Sequence, residues 1–399
     1  GLGAGNNLAL FVWWEPIHQY GSAIFYRYYK HAEDPAVRRN VAGVAAILAI
    51  LIVIAGYSAW QRPAPTPPGI VRVTFLSTAC GNSAVIQTPT GKTYLVDGAI
   101  NNPKTHSDVG QRIIAPFLLK QGIKTIDAVI LTSAGPEHTE GLAAIVDGFD
   151  VRKIYDPVPI RSFEKFSALA AADPNMAYDM FLEDIGDPDM QKTRHAPQVR
   201  RVYDGYAEIA KTAARRGIPR ARASFGVKVE PAGPNGQSPV FRIYFIGPYD
   251  AFTNIRDQSA VLKMDFGSFS VMFPGDVGEA GIESLLGAAV GEASMMEADI
   301  LVVPDHGQTP AARNDRMRKA VKPSVAVLQA GNFSMIYGKT REAKSLVDRA
   351  KEEYDAALGF YGERLGPDRV YDTSRDWAVV VESDGKNYRV ESLKGKKKP

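Results

Sequence analysis

The chain has 399 residues, 45% of them hydrophobic, enough for one large domain or two smaller ones with a sizeable core. Its 47 basic and 44 acidic residues leave a net charge of only +3, which excludes a whole-chain electrostatic case for nucleic-acid binding. The single cysteine, Cys80, excludes an intramolecular disulfide and a cysteine-built zinc site.

Residues 1–40 form an aromatic-rich arm. Its run "FVWWEPIHQYGSAIFYRYYK" interleaves Trp13, Trp14, Tyr20 and Tyr26 with few charges and cannot build a core alone. Such aromatics meet lipid headgroups or another protein, so these four are the predicted partner-binding residues. Residues 41–60, "VAGVAAILAILIVIAGYSAW", are twenty positions without a charge. At about 1.5 Å per residue a helix of that length crosses a hydrocarbon core, which predicts a transmembrane helix. Arg27, Lys30, Arg38 and Arg39 precede the run and only Arg62 and Arg72 follow closely. That bias predicts a single-pass protein of a bacterial cytoplasmic membrane, N-terminus in the cytoplasm and large domain in the periplasm. Residues 61–69, "QRPAPTPPG", read as a proline-rich linker, and 394–399, "KGKKKP", as a solvated basic tail.

From 70 to 393 the pattern is α/β. Strands are predicted at "IVRVTFLST", "SAVIQTP", "KTYLVDG", "DAVILT", "KIYDP", "FRIYFIGP", "SAVLKMDFG", "FSVMFPGD", "DILVVPDHG", "VAVLQAG" and "WAVVVESDG", with helices between several of them. The order opens with hairpin-like units and later alternates strand and helix, which suits two sheets packed face to face with helices outside. Residues about 160–217 read as a helical insertion.

Four segments carry polar groups at strand ends: "FLSTACGNSAVIQTPTGKTYLVDGAI", "LTSAGPEHTEGL", "RDQSAVLKMDFGSFSVMFPGDVGEAGIESLL" and "ADILVVPDHGQTP". In this order and spacing they resemble the metallo-β-lactamase fold, most closely the extracytoplasmic hydrolase-like domain of ComEC-type DNA-uptake proteins. The resemblance implies an αββα sandwich and, in its enzymes, two metal ions held by histidines and carboxylates. The loop that reads H-x-H-x-D-H in the family reads Ser133-Ala134-Gly135-Pro136-Glu137-His138 in this chain. The two histidines expected for the first ion fall on Ser133 and Gly135, and neither replaces an imidazole. For the second ion the family positions fall on Glu137, His138, Asp276 and His306. The family's D-V-G-Q-G-D loop reads Ser77 to Asn82, the first of its paired histidines falls on Asp305, and Lys339 stands where its N-x-Y-G-H-P loop has histidine.

Read from the residues alone, Asp276 is a turn aspartate before it is a ligand, His138 a helix-start residue, His306 a hydrogen-bonded turn residue, and Asp97 structural. These departures predict a pseudoenzyme without catalytic residues or cofactor, serving as a membrane-anchored scaffolding subunit beside other integral membrane subunits of a photosynthetic or respiratory assembly. One alternative is a hydrolase with a single zinc or manganese ion on Glu137, His138, Asp276 and His306, acting on phosphodiesters or nucleic acid by family analogy. The other is a nucleic-acid-binding module, which the charge balance disfavours.

Overall fold

The computed structural model describes residues 35–60, 67–78, 80–102, 107–223, 228–230, 239–245, 255–289 and 295–394. At 35–38, 41, 53–60, 228–230, 244, 245 and 342 the description is of backbone alone. The chain divides into two compact units, residues 1–63 and 64–399.

In the first unit the apolar run lies within a 26-residue helix, Pro35–Trp60. Val44, Ile47, Leu48, Ile50, Leu51 and Ile52 on it are each more than half exposed. Among the described residues, no helix is long and apolar enough to cross a membrane. The predicted transmembrane helix over 41–60 is corrected accordingly to a helix without that support. The helix begins ahead of the apolar run and takes in Arg38 and Arg39. Trp13, Trp14, Tyr20 and Tyr26, most of the linker and nearly all of the basic tail lie outside the described residues.

The second unit contains two mixed sheets. The first has eight strands in the order Tyr388–Ser392, Val379–Ser383, Val71–Phe75, Ala84–Gln87, Thr93–Val96, Ala128–Ile130, Ile154–Asp156 and Arg220–Arg222. It is antiparallel up to Thr93–Val96 and parallel beyond. The second has seven: Val370–Asp372, Val325–Leu328, Ile300–Val302, Phe269–Phe273, Val261–Phe266, Val240–Phe245 and Lys228–Glu230. Here the first four are parallel and the remainder antiparallel.

Alternation along the strands sorts side chains to two faces. Val71, Val73 and Phe75 of the first sheet share one buried cluster with Leu262, Met264, Phe269, Val271 and Phe273 of the second, so the sheets pack face to face. Phe75 and Phe273 meet with ring centroids 5.9 Å apart, and Tyr94 and Phe241 at 4.5 Å. Such ring pairs each add about 0.5–1.5 kcal/mol beyond area burial. The residues one position out of phase face helices. Val261, Met272, Leu301 and Ala326 pack with Ile282, Leu285, Met317, Ala350 and Tyr361. Val85, Leu95 and Val129 pack with Ile114, Leu118, Leu142, Ile145 and Ile209. This is the αββα sandwich that the metallo-β-lactamase resemblance implies. Between Ile154–Asp156 and Arg220–Arg222 run the helices Phe163–Ala172, Pro174–Ile185, Pro188–Lys192 and Pro197–Arg215, with a core of their own around Phe166, Phe181, Tyr203 and Tyr206.

Candidate metal centre

Five strands end at one place. Thr93–Val96 leads into Asp97, Ala128–Ile130 into the turn carrying Glu137 and His138, and Phe269–Phe273 into Asp276. Ile300–Val302 leads into Asp305 and His306, and Val325–Leu328 into Gln329. The loops are stitched together by backbone hydrogen bonds. Asn82 N–H donates to Glu137 O at 3.0 Å, Gly98 N–H to His138 O at 2.6 Å, Ala260 N–H to Thr132 O at 2.8 Å and Asp305 N–H to Gly275 O at 3.0 Å. The close approach at Glu137 O explains Gly81. Its φ is +91°, and a Cβ there would stand 2.3 Å from that oxygen.

These loops converge Glu137, His138, Asp276 and His306, the four residues the sequence singles out for one ion. One donor atom from each lies within 4.8 Å of the others. All four are buried: Glu137 is 5% exposed, Asp276 1%, and both histidines 0%. His138 Nε2 and His306 Nε2 approach Asp276 Oδ1 to 2.9 and 3.3 Å. Yet these three atoms, and Glu137 Oε2, make no hydrogen bond of acceptable geometry. One atom from each of the four residues is thus gathered within 4.8 Å without well-aligned hydrogen bonds between them. An unsatisfied buried polar atom costs about 1–3 kcal/mol, so four at one point call for a further partner.

The far side of each imidazole is fixed. His306 Nδ1 lies 3.1 Å from the Gln329 carbonyl, which only accepts, so Nδ1 carries the proton. His138 Nδ1 lies 2.9 Å from Asp97 Oδ2, and Asp97 in turn accepts the Thr132 amide at 2.8 Å and hydroxyl at 2.6 Å. Both rings thereby present Nε2 to the cluster, the arrangement that metal-binding histidines use. Asp305 and His306 hold this placement at φ of 47° and 55°, left-handed backbone that costs about 1–2 kcal/mol per non-glycine residue. Strain of this kind concentrates at functional sites.

Electrostatics follows from burial and crowding. Burial alone would lower the pKa of His138, but the Asp276 and Asp97 carboxylates beside it hold it well above the ordinary value. His306 is raised as well, burial being outweighed by Asp276. Burial would raise Asp276, but the two imidazoles pull it well below the carboxylate range. Glu137 is pushed up, first by burial and then by the Asp276 charge. The imidazoles and Asp276 thus favour each other's charged forms, and a divalent cation would act on the carboxylates in the same way. Two carboxylates and two neutral imidazoles match the charge of such an ion and suit zinc or manganese.

The two positions read as lost have local explanations. Ser133 is 4% exposed and its hydroxyl accepts the Gly135 amide at 3.4 Å. A Cβ at Gly135 would stand 2.8 Å from Oε1 of Glu137, so the longer glutamate occupies the space that a side chain at 135 would need. Asp97, read from sequence as structural, orients His138. Asp276, read as a turn aspartate, points its Oδ1 into the cluster. Two sequence expectations are therefore corrected: that the chain takes no cofactor and that it is no enzyme. What overturns both is the convergence of four buried side chains of metal-ligand type, with one atom of each lacking a hydrogen-bond partner. Cys80, 1% exposed, has its thiol pushed far above the usual range, mainly by burial, and is no thiolate ligand.

No family model matches the chain, and no curated protein matches it. Solved structures with a similar chain path include a diphosphatase of the PhnP family, at 13% identity and a TM-score of 0.33, covering 65% of this chain and 86% of that one. A mutant of the β-hydroxylase CmlA aligns at 12% identity and a TM-score of 0.42, covering 79% and 54%. A B3 metallo-β-lactamase with an active-site glutamic acid aligns at 14% identity and a TM-score of 0.34, covering 75% and 92%. The class of this protein rests on its own architecture and donor set: a mixed α/β, metallo-β-lactamase-like sandwich with a buried metal-ligand cluster at its strand ends. Closeness to ComEC-type proteins does not follow from these likenesses.

Proposed function

We propose that the protein is a metal-dependent hydrolase that works with one divalent cation, zinc or manganese, held by Glu137, His138, Asp276 and His306. The observation that carries this is the set of four buried donors within 4.8 Å of one another, with Glu137 Oε2, His138 Nε2, Asp276 Oδ1 and His306 Nε2 all lacking a hydrogen-bond partner. When bound, such an ion supplies Lewis acidity and brings the pKa of water toward ~7. The chain's own part is to fix geometry. Asp97 and the Gln329 carbonyl hold the imidazoles, and the loops bearing Asp276 and His306 are tied at Gly275. The low exposure of the cluster keeps bulk water away.

The same reading attaches the protein to a lipid bilayer through the helix Pro35–Trp60, supported by the six large apolar side chains exposed between Val44 and Ile52. In it the arm bearing Trp13, Trp14, Tyr20 and Tyr26 docks against other integral membrane subunits of a bacterial cytoplasmic membrane. A net charge of +3 argues against nucleic acid as the partner.

The test is equilibrium dialysis of the full chain against zinc and manganese, followed by hydrolysis of chromogenic ester substrates. We expect one ion per chain, lost in Asp276→Ala and His306→Ala together with hydrolysis. A chain that takes up no stoichiometric ion, or one whose hydrolysis survives both substitutions, refutes the reading.

A further inference from the structure

The eight-stranded sheet ends on Tyr388–Ser392, and among the described residues no strand pairs with its outer side. This edge strand is five residues long and runs antiparallel to Val379–Ser383 without a register shift, whereas the other edges of the two sheets are strands of three residues. Backbone groups of an antiparallel strand face a given neighbour at alternate residues. Leu393 N–H donates to Ala378 O at 2.9 Å and Asp384 N–H to Asn387 O at 3.2 Å, which puts Arg389 and Glu391 in the pairs that bond inward. The N–H and C=O groups of Tyr388, Val390 and Ser392 therefore point outward, a row that another strand can pair.

Exposed edges are commonly protected by charges that repel a second strand. On this one the charges do the reverse. Arg389 and Glu391 share a face, with side chains 67% and 60% exposed. Across the sheet Arg72 stands opposite Glu382 and Glu382 opposite Arg389, which donates to it at 2.9 Å. The row runs plus, minus, plus and stops with one positive charge in excess. In a second copy laid antiparallel about a two-fold axis at Val390, Tyr388 meets Ser392, Val390 meets Val390, and Arg389 meets Glu391 of the other copy. This register also sets outward-bonding residues against outward-bonding residues. Moving the axis by one residue would oppose Arg389 to Arg389 or Glu391 to Glu391, and like charges directly across a sheet are unfavourable. Lys386 and Lys394 lie outside the strand, where the chain turns. Tyr388 and Val390 are only partly buried against the core between the sheets, and a further strand would cover them.

We propose that Tyr388–Ser392 is a dimerisation edge, at which two copies of this chain join their eight-stranded sheets antiparallel about a two-fold axis at Val390. The interface is isologous, so the Arg389–Glu391 contact between copies occurs twice. The metal cluster takes no residue from this strand, so assembly does not depend on the ion.

Sedimentation equilibrium of the full chain measures the association, in a mild detergent that covers the exposed apolar side chains of the helix Pro35–Trp60. Wild type should dimerise. Val390→Pro should be folded and monomeric, because proline is tolerated on an edge strand where its missing N–H would face solvent, yet it cannot bond a second strand there. Glu391→Arg, at an exposed position, sets arginine against arginine in both symmetric pairs and should weaken dimerisation about 10-fold or more. Thermal unfolding checks the fold of each variant, and Glu391→Arg decides the matter should Val390→Pro unfold. A monomeric wild type, or a dimer that persists unchanged in either variant while that variant remains folded, overturns the assignment.

Discussion

Replacing Asp97 with asparagine isolates the orientation of His138 from the ligands themselves. Asp97 Oδ2 accepts the Nδ1 proton of His138 at 2.9 Å, and Oδ1 accepts the Thr132 amide at 2.8 Å. The substitution is nearly isosteric, and asparagine is among the residues that best tolerate the positive φ of 57° found at this position. The Thr132 amide keeps a carbonyl acceptor, so the loop should stay in place. What is lost is the charge that fixes the Nδ1–H tautomer and raises the basicity of Nε2. An amide nitrogen turned toward Nδ1 would favour the opposite tautomer, with a proton on Nε2 aimed into the cluster. Changes of this kind cost about 10- to 100-fold in metal affinity, or roughly 1.4–2.7 kcal/mol. Competition against a chromophoric chelator measures that affinity, and thermal unfolding of the ion-free variant verifies the fold. A folded variant with wild-type affinity for zinc would refute the assignment of Asp97 as the partner that holds His138 in its metal-binding tautomer.

Gly135→Ala should weaken metal binding without removing a ligand, because the new Cβ would stand 2.8 Å from the Glu137 carboxylate and drive it out of position; wild-type affinity by the same chelator competition would show that Glu137 does not contribute. The stability of the ion-free protein and the stabilisation the ion adds should depend on pH with opposite signs. The folded-state pKa of His138 is raised, so its contribution to the ion-free fold is complete below the unfolded value of about 6.5 and is lost as pH rises through the folded value. The ion must displace the same protons, so the rise in melting temperature it produces should grow across that window. Calorimetric scans at a series of pH values decide it, and an ion-induced shift that is flat or falls with pH would contradict the exchange of protons for metal.

The strands were legible because their signal is local. "IVRVTFLST" contains Val71–Phe75, "SAVIQTP" contains Ala84–Gln87 and "FSVMFPGD" contains Phe269–Phe273, each short and rich in β-branched or aromatic residues. Pairing was less so. Val379–Ser383 lies beside Val71–Phe75, with Arg72 and Glu382 bonded at 2.6 Å across 310 residues, and no periodicity within either segment specifies that. The four candidate ligands could be named from sequence because each sits at a strand end in a recognisable motif. Their state could not be, because whether a carboxylate caps a turn or faces an ion depends on atoms far along the chain. Asp97 and His138 are 41 positions apart, and Gln329 and His306 are 23 apart. Substitution at Ser133 and Gly135 looked like decay when those positions were read one at a time. With the fold in place, the glycine at 135 and the extra methylene of Glu137 are complementary, since a Cβ at 135 and the glutamate carboxylate compete for the same space.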